Sequence, residues 1–172
     1  MATLKEGSFS LNLGLVQLGG NLSDEDRQCA WELYTEIATR VAVVGKRSDK
    51  DCTDFSGELY AESLDSLYAF FCECRGIMRR FPVGRVKDPD QEHLGVLINR
   101  ILTQVLRPFL EKWSGHFRAW WTDPDSSTTM PYELQAHFPD LEAFLKDWSD
   151  IRKIMRGVEA QLREQYKLVP LE

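Results

Sequence analysis

The order of apolar and polar positions divides the chain into one alternating stretch and four helical ones. Residues 9–18 alternate, with Phe9, Leu11, Leu13 and Leu15 on one side and Ser10, Asn12 and Gly14 on the other. A period of two belongs to a strand, so residues 1–22 read as an extended N-terminal arm that Gly19 and Gly20 close. From Asp24 the period becomes helical. Ala30, Leu33, Ile37, Val41 and Val44 line one face of a helix over about 24–44. Ser23 stands where an N-cap belongs, Asp26 completes a capping box, and Gly45 supplies a stop.

A polar loop over 46–54 leads to a second helix over about 56–81. Leu64, Leu67, Phe70 or Phe71, Cys74, Ile77 or Met78, and Phe81 form its face, and Pro82 ends it. The third helix begins near Asp90 and carries Leu94, Leu97, Ile98, Ile101, Leu102, Val105, Phe109, Trp113 and Phe117. Pro108 lies inside that pattern. It has no N–H for the carbonyl of Gln104, so a kink is expected there, not a break. An irregular stretch over 122–139 leaves room for a short helix at 131–137. The last helix starts near Pro139, with Leu141, Phe144 or Leu145, Trp148, Ile151, Met155, Val158 and Leu162 as its seam. These patterns predict an all-α fold: an antiparallel four-helix bundle with a kinked third helix and an extended N-terminal arm. One domain is expected, with the bundle over 23–167 and a frayed tail over 168–172.

Composition narrows the function classes. The 172 residues carry 21 basic and 27 acidic side chains, so the net charge is 21 − 27 = −6. Such a mean field repels phosphate, which disfavours general binding of nucleic acid or anionic membrane. No apolar run approaches the 18 residues that a membrane span needs, and the interrupted N-terminal stretch does not read as a secretory signal. Cys29, Cys52, Cys72 and Cys74 are irregularly spaced and mostly inside apolar-periodic segments. They read as reduced, buried thiols of a cytoplasmic protein.

Motif chemistry is sparse. The chain has no phosphate-binding glycine loop, no nucleophile elbow and no His-Glu-x-x-His. Asp90 and His93 share a helix face, as do Glu133 and His137, but neither pair has the companions of a bundle metal site. Cys72 and Cys74 point about 200° apart on a helix and cannot grip one zinc together. No catalytic residue, metal or cofactor is assigned.

The one local anomaly is basic. Arg75, Arg79, Arg80, Arg85 and Lys87 occur between 75 and 87 with no acid among them, while the rest of the chain sums to 16 − 27 = −11. They complement the negative end of the second helix, and they also form a surface for an anion or an acidic partner. The run lacks interleaved aromatics for base stacking, so a protein partner is favoured over nucleic acid. Trp113, Trp120 and Trp121 are the candidate interface aromatics, because the adjacent pair cannot both face one core.

The segments ELYTEIATRVAV (32–43), SLYAFFCECRGIMRRF (66–81) and HLGVLINRILTQVLRPFLEKWSGHF (93–117) resemble small all-α modules of bacterial conflict systems. The resemblance spans about 24–121 and brings no active-site residue with it. It implies a cytoplasmic component of an antiviral defence assembly: a non-enzymatic adaptor, regulator or assembly subunit. Residues 75–87 and the tryptophans would be its contact surfaces. The alternative is a module that binds a nucleotide or nucleic acid through the same basic segment. Self-association, including pairing of the arm between chains, is left open.

Overall fold

Alternation near the N-terminus produces a hairpin. In the computed structural model, which describes residues 2–13, 23–81, 94–122 and 130–171, strands β1 (Ala2–Glu6) and β2 (Phe9–Leu13) pair antiparallel, with Leu4 opposite Leu11 and Glu6 opposite Phe9. The arm therefore pairs within its own chain, with a first strand that its polar residues did not announce. Gly7 opens the two-residue turn at φ +55°, which glycine adopts without the Cβ penalty of other residues. Phe9 and Leu11 are buried.

The rest of the described chain is mostly helical, so the class is all-α with one small sheet. Helix α1 (Asp24–Ala38) starts on the predicted capping box. Ser23 Oγ accepts the Asp26 N–H at 3.1 Å, and the Asp26 carboxylate accepts the Ser23 N–H at 3.2 Å. It ends at Ala38 instead of running to residue 44. Arg40 is extended (φ −105°, ψ 109°), and its guanidinium reaches back to Glu36 at 2.6 Å and across to Ser66. Those contacts hold a turn before the short helix α2 (Val41–Val44), which Gly45 closes at φ +68°.

Helix α3 (Tyr60–Arg80) begins later than its periodicity suggests, and its N-cap residue, Leu59, has no side-chain oxygen. The cap comes from elsewhere. Gln135, at the end of α6 (Pro131–Gln135), accepts the Tyr60 N–H at 3.0 Å and donates to the Glu58 carbonyl at 2.8 Å. Gln135 is buried, so both backbone groups lose their partner when it is removed. Gln135→Ala is expected to cost about 1–3 kcal/mol of unfolding free energy, seen as a lower urea midpoint at unchanged slope.

Helices α4 (Leu94–Arg100) and α5 (Arg107–Trp121) are joined without interruption by a π-helical stretch, Ile101–Leu106. The Arg107 N–H donates to the Leu102 carbonyl, five residues back. The wider turn falls immediately before Pro108, so the hydrogen-bond ladder adjusts where the missing N–H requires it. The start of this helix near Asp90 lies outside the described residues. Helix α7 (Leu141–Tyr166) follows the predicted seam. After it the chain turns back instead of fraying. Lys167 is left-handed at φ 52°, Leu168 and Leu171 pack on the core, and the Leu171 N–H donates to Tyr34 Oη at 3.0 Å.

Helix α1 packs against α3 and α7, and α5 packs against the same two. The hairpin lies over α7 and the π-helical stretch. Gly157 of α7 makes this docking close, since a Cβ there would collide with the Leu4 side chain. One continuous apolar cluster joins hairpin and helices. Phe144 sits within 6.0 Å of the rings of Tyr60, Phe109, Trp113, Phe117, Phe138 and Trp148.

Candidate functional site

Helix α3 shows why the basic run has to be read residue by residue. Its buried positions, Leu64, Leu67, Phe70, Cys74 and Ile77, face the core. At 100° per residue, Asp65, Tyr68, Cys72, Arg75 and Arg79 fall within about 80° of one another on the outer side. All five are exposed. Tyr68 is 60% exposed, and its ring stacks on Phe71 with centroids 6.5 Å apart and planes at 7°. The aromatics absent from the sequence run thus lie one and two turns ahead of the arginines on the same helix.

The cations differ in their commitments. Arg80 is tied to α1: its Nη2 lies 2.7 Å from Glu32, which raises the guanidinium pKa further. Its place in the structure is that of a strut between helices. Arg75 and Arg79 have no carboxylate partner among the described residues. Arg85 and Lys87 lie outside the described residues. At the acidic end of the stripe, Asp65 Oδ1 pairs with Arg118 of α5.

The tryptophans separate in the same way. Trp113 is 3% exposed; its indole N–H donates to Asp147 at 2.9 Å and its ring packs on Phe144, so it belongs to the core and not to an interface. Trp120 and Trp121 are half-buried against Phe117, with Trp120 also on Phe138.

Cysteine positions correct the expectation of four buried thiols. Cys29, Cys52 and Cys74 are buried, and Cys72 is exposed. Burial pushes the Cys29 thiol up to about 12, and it raises Cys52 and Cys74 as well. Those three thiols stay protonated near neutrality, which removes them as nucleophiles. Glu133 and His137 are exposed, and Asp90 and His93 lie outside the described residues. Among the described residues no group of three or more His, Cys, Asp or Glu is placed to hold a metal ion.

Two clefts open on other faces. One, of about 700 Å³, lies over Glu58 and Glu62 between α2 and the start of α3, rimmed by Arg40, Lys46 and Ser66. Both cations are already paired, Arg40 with Glu36 at 2.6 Å and Lys46 with Asp54 at 2.9 Å. The other, of about 650 Å³, lies between the start of α1 and the end of α7, with Arg27, Trp31 and Lys167 in its wall.

Sequence reasoning missed a buried ionic group beneath the first cleft. Arg152 is fully buried in α7; its Nη2 lies 2.6 Å from Glu58 Oε2, and its guanidinium lies 4.1 Å from the Phe55 ring centroid. The signal was present, because Arg152 follows Trp148 by four residues and precedes Met155 by three, which places it on the apolar seam. Arg156, one turn on, donates to the carbonyls of Val44, Asp49 and Lys46 and fixes the loop after α2.

No family model matches the chain, and no curated protein or solved structure matches it. Among the described residues no helix is long and apolar enough to cross a membrane.

Proposed function

We propose that the chain is a non-enzymatic helical protein-interaction module that engages its partner through the outer face of α3. The observation that carries this reading is the stripe itself. Tyr68 stands exposed on Phe71, and Arg75 and Arg79 project beside it without a carboxylate partner among the described residues. Aromatic and arginine side chains together are the composition of interface hot spots. Arginine also gives planar, two-pronged recognition of carboxylates. The ring of contacts from α1 to α3 to α5 to α7 supports an antiparallel four-helix bundle behind this face, with the third rod bent at the π-helical stretch. The resemblance of residues 32–43, 66–81 and 93–117 to conflict-system modules extends the proposal to an adaptor, regulator or assembly subunit of a bacterial antiviral complex.

Arg75→Glu/Arg79→Glu leaves the core untouched, so it is expected to keep the unfolding midpoint while losing tenfold or more of the partner retained in a tagged pull-down from the native host. Mass spectrometry identifies what is lost, and absorbance at 260 nm reports nucleic acid. Equal retention by the double variant eliminates this face. Loss of nucleic acid in place of protein makes the segment a phosphate-binding surface instead.

A further inference from the structure

We infer that the partner of the α3 face is a second copy of the same chain, packed antiparallel across a two-fold axis; this rests on the reading of α3 as the contact surface. In an antiparallel helix pair related by a two-fold, residues at the same level have numbers with a constant sum. The stripe has such a centre. Tyr68 and Cys72 sum to 140, and Asp65 and Arg75 sum to 140. Along the stripe Asp65 comes first, the uncharged Tyr68 and Cys72 follow, and Arg75 and Arg79 end it, while the exposed Glu62 and Glu73 lie on the flank beside Arg80. With the axis near residue 70, Arg75 of one protomer meets the partner's Asp65 on both sides of the interface. The partner's Tyr68 meets Cys72. A parallel pairing would instead set acid on acid and base on base.

The in-chain contacts are compatible with this arrangement. Arg118 donates to Asp65 Oδ1 alone, so Oδ2 has no donor among the described residues. Arg80, which points toward α1 and pairs with Glu32, stands outside the charge pattern. Ala69, half-buried beside the stripe, is small enough for close approach of the helices, whereas Gly76 is covered by the Arg80 guanidinium. Helix α3 has 21 residues, about 30 Å of length. One such helix face buries less than the roughly 800 Å² per partner of a standard interface, so the association is weak and concentration-dependent.

Sedimentation equilibrium of the whole chain tests the pairing. The expected mass rises with concentration from 19.9 kDa toward twice that value and falls back with added salt. Arg75→Glu alone and Asp65→Arg alone each place two like-charge pairs in the homodimer. Each is expected to raise the dissociation constant tenfold or more. Mixed together, the two single variants satisfy both pairs, so the equimolar mixture is expected to regain the wild-type association. Cys72 gives a second readout. Four residues of axial offset, an 8–10 Å interaxial distance and Cα atoms about 2.3 Å from each axis on the facing sides put the two Cys72 Cα atoms about 7–8 Å apart. A short bis-maleimide should link them. Cys72→Ser should abolish the link. A wild-type chain that stays monomeric at its highest soluble concentration overturns the inference, as does a mixture without rescue. If the chain is monomeric while Arg75→Glu/Arg79→Glu still loses a different protein in the pull-down, self-pairing fails and the α3 contact face survives.

Discussion

Replacing Arg152 with alanine is expected to lower the unfolding free energy by about 3–5 kcal/mol, since removal of one partner strands the other charge in the interior. The stranded group is Glu58, whose side chain is only 9% exposed and accepts from Arg152 Nη2 and Ser63 Oγ through the same oxygen. Its other oxygen, Oε1, has no hydrogen-bond partner among the described residues, nor does Arg152 Nη1. The pair is therefore imperfectly satisfied even when intact, and burial lowers the Arg152 pKa while Glu58 opposes that shift. The loss also removes the guanidinium from the rings of Phe55 and Trp148 and a long 3.5 Å contact to the Ala42 carbonyl. An ordinary domain has about 5–15 kcal/mol in total, so Arg152→Ala should leave the chain close to unfolding at 37 °C. The apolar double replacement Glu58→Leu/Arg152→Met should lose clearly less than Arg152→Ala, because it strands no charge. Urea unfolding of the two variants checks both statements. A cost below about 1 kcal/mol for Arg152→Ala would mean that water reaches Glu58 readily and that the pair is not a buried one.

How much of this was legible beforehand depends on which interactions decide each feature. The seams of α3, α5 and α7 follow from period alone. The residues read as apolar-face, such as Leu64, Leu67, Val105, Phe109, Phe117 and Val158, are buried. Ser23 and Asp26 cap α1 locally, so the sequence suffices there. The end of α1 at Ala38 was not legible, since Arg40 is held out of the helix partly by Ser66, 26 residues away. The start of α3 was missed for the same reason: its cap, Gln135, lies 75 residues ahead of Tyr60. Strand β1 escaped because a strand of mixed polarity declares itself only through its partner. On the outer face of α3, the basic run was visible as composition, but the different placements within it were not. Arg80 differs from Arg79 by 100° around the helix, and that angle decides between a strut to Glu32 and an open face. Trp113 was misplaced by the opposite error, since a large aromatic was read as a surface anchor when Asp147 gives its indole N–H a buried acceptor.

Phe144→Ala is the core substitution expected to cost most among the aromatic positions, about 3–5 kcal/mol and a melting point lower by on the order of 10 °C. Phe144 is fully buried and is the hub where α3, α5 and α7 meet. Its ring lies 5.9 Å from Tyr60, 5.5 Å from Phe117 and 5.1 Å from Trp148, and it stacks with Phe109 at an interplanar angle of 16°. Removing it opens a void bounded by large rings. Three of these neighbours are anchored elsewhere: Trp148 donates to the Ala42 carbonyl at 2.8 Å, Trp113 donates to Asp147, and the Tyr60 backbone N–H donates to Gln135. The walls are thus poorly able to collapse inward, which puts the cost at the upper end for a large-to-small change. Phe144→Leu retains most of the volume and should cost roughly half as much or less. Thermal unfolding followed at far-ultraviolet wavelengths gives the stability. The near-ultraviolet circular dichroism gives an independent readout, because Trp113 and Trp148 are both direct neighbours of the lost ring and should relax into a less fixed environment. A Phe144→Ala variant with an unchanged near-ultraviolet spectrum and a loss under about 1 kcal/mol would show that the cluster is not packed as a unit. Because Phe144 is buried while Arg75 and Arg79 are exposed, the same variant, if still folded at low temperature, should retain any wild-type binding through Arg75 and Arg79. Core stability and the proposed recognition would then be separable properties of opposite sides of α3.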